Sequence, residues 1–172
     1  MTEKLVAGVV ETPMGWAGVA VTERGIRNAT LFHRSRAACE GELRSAGATL
    51  GEAPEVDGAL GLLVNYASGG GASLDEFPVD LPPCTDFHRA AWLALREIPR
   101  GETRSYGWLG RHVGHAESPR AIGAAMGANP IPLWLPCHRV IGSNGGLHGF
   151  GGGLEMKRQL LELEGALPRR LV

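Results

Sequence analysis

A chain of 172 residues, 44% hydrophobic and 20% charged with a formal net charge of −1, has room for one generous domain or two small ones around an ordinary core. No apolar run approaches the roughly 20 residues of a membrane span, and the opening MTEKLVAGVVETPMG lacks the basic start and cleavage site of a signal peptide, so a cytoplasmic protein with no membrane partner is expected. Cys39, Cys84 and Cys137 are odd in number, far apart and outside any CxxC pair, which argues against a disulfide framework or conventional zinc site and for free thiols.

Charge is uneven. Up to residue 84 there are 6 Lys and Arg against 11 Asp and Glu, net −5, and from residue 85 onward 11 against 7, net +4. The second half is the candidate for a polyanionic partner, although a solvated mixed-sign surface would read the same.

In chain order, KLVAGVV, WAGVAVTERG and IRNATLF read as strands of a β-meander, with TPMG as a turn. Residues 33 to 70 read as more helical, with Asp57 as a cap and Gly69 to Gly71 as a stop. FPVDLPPCT is the candidate linker. TDFHRAAWLALREIP spaces Phe87, Ala91, Leu95 and Ile98 as a helix face, capped by Thr85 or Asp86 and ended by Pro99. GETRSYGWLGRHVGH predicts a second helix after a turn. SPRAIGAAMGANP predicts a third, with Ser118 at the N-cap and Pro119 at the first helical position. Two short helices joined by a glycine-containing turn outline a helix-turn-helix.

That third helix is thin. Ala121, Gly123, Ala124, Ala125 and Gly127 fall together, although glycine inside a helix costs about 1 kcal/mol relative to alanine. Either it packs closely on a neighbour, or its thin face enters a narrow groove, such as the DNA minor groove about 6 Å wide.

NPIPLWLPCHRVIGSNGG then carries one thiol into glycines. IPLWL reads as an apolar strand that keeps a site dry. An unperturbed thiol is only about 3% thiolate at neutral pH, so a reactive Cys137 needs a base. His138 is adjacent, but on an extended backbone its side chain points away, which makes a bridging water the natural link. Such a histidine needs an acid to fix its tautomer, and spacing alone does not choose one. A buried structural cysteine beside a surface histidine remains the alternative. GSNGGLHGFGGG lacks the Lys-Ser/Thr of a P-loop and reads as a loop folding over a site, with Phe150 as its one large apolar side chain.

SPRAIGAAMGANPIPLWLPCHRVIGSNGGLHGFGGGLEMKRQLLELEG closely resembles the signature region of the O6-alkylguanine-DNA alkyltransferase family, and DFHRAAWLALREIPRGETRSYGWLG and ETPMGWAGVAVTERGI extend the likeness upstream. The resemblance implies an α/β plus α fold: an N-terminal ribonuclease-like α/β domain with an antiparallel sheet over 1–80, and a C-terminal helical domain with a helix-turn-helix over 81–172 that binds DNA and transfers the alkyl group. It implies irreversible, single-turnover transfer from O6 of guanine, with O4 of thymine left open, in double-stranded DNA bound through the minor groove with the base flipped. No cofactor or metal is implied, and a monomer is expected.

By the same resemblance Cys137 is the acceptor, His138 the water-linked base and Glu164 its orienting acid. Tyr106 helps rotate the nucleotide and donates to the leaving guanine, and Asn129 is the hinge after the recognition helix. Arg120 fills the gap left by the flipped nucleotide, with Ala121, Gly123 and Ala124 against the DNA. The backbone of Cys137, Val140 and Gly151 reads the base, and Phe150 and Trp134 bound the pocket. Cys84, His88, Trp134 and Phe150 depart from the commoner family residues, and Gly127 lacks a basic side chain that some members carry. A non-repairing binder of alkylated guanine would lack the cysteine, and a cysteine hydrolase would turn over repeatedly.

Overall fold

A computed structural model of the chain describes residues 3–114 and 118–171. Two compact units form: the residues up to Pro82 together with Pro130–Trp134, and Pro83–Asn129 together with Leu135 onward. The architecture is α/β, and among the described residues no helix is long and apolar enough to cross a membrane.

In the first unit the meander forms as β1 (Val6–Thr12), β2 (Gly15–Thr22) and β3 (Gly25–Ala29). Only Pro13 and Met14 join β1 to β2, where Thr12 pairs with Gly15 and Val6 with Val21. Thr12 Oγ1 closes that turn, donating to Gly15 O at 2.8 Å and accepting from Met14 N at 3.1 Å.

The sheet is mixed, not wholly antiparallel as expected. β4 (Thr49–Leu50) lies parallel to β1, giving the order β3-β2-β1-β4. The chain reaches β4 from β3 through α1 (Arg36–Ser45), and a helical connection of that length lets a strand return parallel to its new neighbour. α2 (Pro54–Ala67) begins three residues before the expected Asp57 cap, because Pro54 is pre-set for the first helical position and Asp57 falls in the first turn. It lies so close to β1 that a Cβ on Gly8 would come within 2.5 Å of Val56 Cγ1. Ile26, Leu43 and Leu63 are fully buried here, each worth about 1.5–3 kcal/mol.

The boundary between the units, at Pro82 and Pro83, falls within FPVDLPPCT, and one other stretch, IPLWL, differs from its sequence reading. FPVDLPPCT is stitched to β3, with Ile26 N donating to Pro78 O at 2.9 Å and Asp80 N to Ile26 O at 2.8 Å. Thr22 Oγ1 and Arg27 Nη2 bind the Asp80 carboxylate at 2.6 and 2.8 Å. IPLWL is a turn rather than a continuous strand: Leu133 and Trp134 form the turn, with single bridge residues Pro132 and Leu135 on either side, and Leu133, buried, takes φ 76, a conformation that costs a non-glycine residue about 1–3 kcal/mol.

In the second unit α3 (Asp86–Leu95) is capped by Thr85, whose Oγ1 accepts from His88 N at 3.1 Å. Its face buries Ala91, Trp92 and Leu95, and Trp92 Nε1 donates to Ala125 O at 2.8 Å. β5 (Arg104–Ser105) leads directly into α4 (Tyr106–His112), whose first turn Ser105 Oγ caps by accepting from Trp108 N at 3.0 Å. α5 (Pro119–Gly127) starts on Pro119, but Ser118 makes no side-chain capping bond. The expected turn between these helices includes 115–117, which lie outside the described residues, as does His115 of the second predicted helix. α6 (Leu154–Leu163) closes the unit and buries Lys157, Leu160 and Leu161.

α5 buries Ile122 and Ala125 but exposes Gly123, Ala124 and Gly127. A Cβ on Gly123 or Gly127 would meet no atom within 4 Å. Close packing within the protein therefore does not account for these glycines.

Candidate active site

β5 pairs parallel with β6 (Val140–Ile141), matching Arg104 with Val140 and Ser105 with Ile141. Tyr106 directly follows β5 and the PCHR segment directly precedes β6, so this short ladder brings the first residue of α4 to the thiol. PCHRV is not extended: Cys137–Arg139 form a 3₁₀ turn closed by Arg139 N on Pro136 O at 3.0 Å. At three residues per turn neighbouring side chains diverge, so Cys137 and His138 leave the backbone in different directions.

His138 is 1% exposed, and its Nε2 lies 2.7 Å from Glu164 Oε2. Burial works to raise the Glu164 carboxyl, but the charges and hydrogen bonds of His138 and Arg139 hold it well below the usual carboxylate range. The ionised carboxylate accepts only, so Nε2 must carry the imidazole proton. That leaves the lone pair on Nδ1, which is buried with no hydrogen-bond partner in the protein. Burial also pushes the His138 pKa down, against the attraction of Glu164 and with the repulsion of Arg139 and Lys157. The histidine is a neutral base with its basic atom unengaged.

Cys137 is partly accessible. Burial of its surroundings pushes the thiol up, opposed by a side-chain hydrogen bond from Asn129, the charge of Lys157 and nearby backbone N–H groups. Asn129 Nδ2 also donates to Leu135 O at 2.7 Å, tying the second residue past α5 to the chain entering the turn.

Lys157 is fully buried, and its three N–H bonds go to Val140 O at 2.8 Å, His148 O at 2.9 Å and Tyr106 Oη at 3.4 Å. Burial lowers its pKa to about 8, with Cys137 opposing. The donated bond leaves the Tyr106 proton directed away from the lysine, while burial and then Cys137 raise the phenol's pKa.

The structure thus brings together Cys137, His138, Glu164, Asn129, Tyr106 and Val140. Arg120, Gly123 and Ala124 lie exposed on α5, and Ala121 is half-buried there. Phe150 is half-buried and Gly151 exposed, with Phe150 O held by Gly153 N at 2.9 Å. Trp134 is fully buried in the first unit, not the one that holds Cys137. Among the described residues no group of three or more His, Cys, Asp or Glu is placed to hold a metal.

Lys157 and Arg139 escaped the sequence reading. Lys157 had a signal: with Leu160, Leu161 and Glu164 it falls at i, i+3, i+4 and i+7, so two charges share one buried helix stripe. Arg139 had none.

A profile of the 6-O-methylguanine DNA methyltransferase, DNA binding domain, matches residues 86–166. A methylated-DNA--protein-cysteine methyltransferase of Methanosarcina acetivorans is 49% identical over 94 residues, covering 54% of this chain and 60% of that one. Its Mycobacterium tuberculosis counterpart is 50% identical over 108 residues, covering 62% and 64%. The matched region therefore spans less than two thirds of these curated relatives. The crystal structure of the Mycobacterium tuberculosis O6-methylguanine methyltransferase superposes with a TM-score of 0.77 at 35% identity, over 96% of this chain and 94% of that one. The Mycobacterium tuberculosis OGT in complex with DNA does so at 0.78 and 36%, over 94% and 93%. Likeness that runs through both units and includes the half that carries the Cys137 site shows that this chain belongs to the O6-methylguanine DNA methyltransferase family.

Proposed function

We propose that this protein repairs DNA by moving an alkyl group from O6 of guanine to Cys137 Sγ, once per molecule. The observation that carries the reading is a buried, neutral His138 with Nε2 engaged by Glu164 and Nδ1 unengaged, one residue from the thiol. The names of the relatives, and a neighbour solved with DNA, support the substrate class.

The chemistry balances without a cofactor. A water between Sγ and Nδ1 passes the thiol proton to His138, and the thiolate displaces guanine from the alkyl carbon, forming S–C as C–O6 breaks. Glu164 stabilises the imidazolium that forms. Tyr106, its oxygen held by Lys157, donates a proton to the departing guanine, and His138 passes the one thiol proton on through water to the resulting phenolate, which restores both groups. Asn129 fixes the turn that aims the thiol, and the backbone of Cys137, Val140 and Gly151 reads the base, Val140 O keeping a lone pair beyond its bond to Lys157. Phe150, on the glycine-rich loop of the same unit, bounds the pocket.

A stacked base cannot present O6 to this thiol, so the nucleotide is flipped at a cost of a few kcal/mol. α4 and α5 act as the helix-turn-helix, with the exposed Gly123 and Ala124 face in the minor groove and Arg120 filling the gap in the stack. In this reading residues 81–172 bind DNA and react, 1–80 form a supporting ribonuclease-like domain, and the protein works as a cytoplasmic monomer. With excess duplex bearing labelled O6-methylguanine, one label per protein is expected, and none in Cys137→Ala. More than one equivalent, or tight binding without transfer, would overturn the reading.

A further inference from the structure

Arg139 follows the base in sequence, and the chemistry above gives it no part. Its side chain is 12% exposed and fixed on three sides: Nε on Glu164 Oε1 at 2.8 Å, Nη2 on Glu164 Oε2 at 3.0 Å and Nη1 on Ile98 O at 2.8 Å. Glu164 Oε2 also receives His138 Nε2. One buried carboxylate is therefore shared between a bidentate guanidinium and the imidazole.

We infer that Arg139 is a positioning residue for alkyl transfer: by clamping both oxygens of Glu164 it aims the carboxylate at His138 Nε2 and keeps the imidazole unprotonated, so that Nδ1 remains a base into the acid range. The inference rests on the alkyl-transfer reading.

The physical reason is competition for one negative charge. A buried carboxylate facing histidine alone draws a second proton onto the ring, because the imidazolium and carboxylate then neutralise each other. With Arg139 in place that charge is already matched, and an imidazolium would add an uncompensated cation. The charged groups that face His138 are Glu164, which favours protonation, and Arg139 and Lys157, which oppose it together with burial; Cys137 precedes it. Losing Arg139 removes one opposing cation and frees Glu164 to favour the proton, and both changes raise the pH at which the pair takes it up. Geometry adds a second role. Lysine offers a compact charge without the planar fork, so it could keep the imidazole neutral yet leave the carboxylate free to turn.

The test compares the wild-type protein with Arg139→Met and Arg139→Lys. Ring-nitrogen NMR of His138 is recorded from about pH 5 to pH 8, in a Cys137→Ala background, where histidine titrations are read. The intact-thiol proteins are followed by single-turnover alkyl transfer over the same range. In Arg139→Met the His138 midpoint is expected to rise by at least about one pH unit, and the acid limb of transfer to move with it, an approximately tenfold loss at a given acid pH. Arg139→Lys is expected to keep the midpoint near wild type and still transfer more slowly. An unmoved midpoint in Arg139→Met overturns the inference. Should Arg139→Met not fold, Arg139→Lys decides: transfer at the wild-type rate overturns it. A midpoint that moves as expected while the wild-type protein transfers no alkyl group would sink the alkyl-transfer reading and leave standing only the hold of Arg139 on Glu164 and His138.

Discussion

Replacing Lys157 by Met isolates the least anticipated group in the site. The lysine is fully buried, and burial lowers its pKa from 10.5 to about 8, equivalent to at most about 3 kcal/mol. Its folded-state pKa lies below the unfolded value, so between those two pH values the unfolded chain holds the extra proton and stability rises with pH. Below about pH 8 the charged lysine carries the full desolvation penalty, and the penalty fades as pH rises toward 10.5. Methionine fills similar space without a charge, and leaves Val140 O and His148 O without this donor, at about 1–3 kcal/mol each. The two effects are of similar size near neutral pH, so Lys157→Met should lie within about 2 kcal/mol of wild type there. On raising the pH from 8 toward 10.5, the wild-type protein should gain on the variant. At about 2–4 °C per kcal/mol for a chain of this size, the gap in Tm should change by roughly 6–12 °C. Calorimetry of both proteins in a Cys137→Ala background, which removes the thiol's own titration, measures this. A gap that stays flat within about 1 °C would refute the picture of a desolvated cation. With the thiol intact, Lys157→Met should transfer about tenfold more slowly at neutral pH, because the charge that favours the thiolate is gone.

Gly123→Ala adds a methyl group where the protein has open space, so it should raise stability by about 0.5–1 kcal/mol and yet weaken duplex binding; thermal melts and fluorescence anisotropy read the two, and tighter binding would remove α5 from the groove. Glu164→Gln keeps an acceptor for His138 but loses the charge that steadies the imidazolium, so transfer should slow by about tenfold or more, by the difference between charged and neutral hydrogen bonds, with duplex affinity unchanged in the same assay. A parallel loss of affinity would make Glu164 a structural residue alone. Arg120→Ala should slow repair of duplex DNA far more than reaction with the free base, and equal losses would remove its role in holding the flipped state.

Much of the second half was legible from residues alone. Thr85 caps α3 and Pro119 opens α5 because hydroxyl capping and proline's fixed φ act locally. The paired strands β1 and β2 were legible for the same reason. The readings that missed depended on partners distant in sequence. The pairing of Thr49 and Leu50 with β1 cannot be seen in so short a strand, and the bonds that Ile26 and Arg27 make to the first half of FPVDLPPCT have no signal in its own residues. IPLWL has the apolar run of a strand, but the φ of Leu133 makes a turn. At the site, Cys137 and His138 stood out by chemistry, whereas Glu164 came only through resemblance, since 26 residues separate it from the histidine it binds. Arg139 emerged only once the fold had brought Glu164 and Ile98 to it.

Of the three thiols, Cys137 is the proposed acceptor, although Cys84 is the exposed one and Cys39 is buried beside Thr30. Peptide mapping by mass spectrometry after one round with a duplex containing O6-methylguanine tests it most directly. A single methyl group on the peptide that contains Cys137, with Cys39 and Cys84 unmodified, is the predicted result; methyl on Cys84, or demethylated guanine with no modified cysteine, would contradict it.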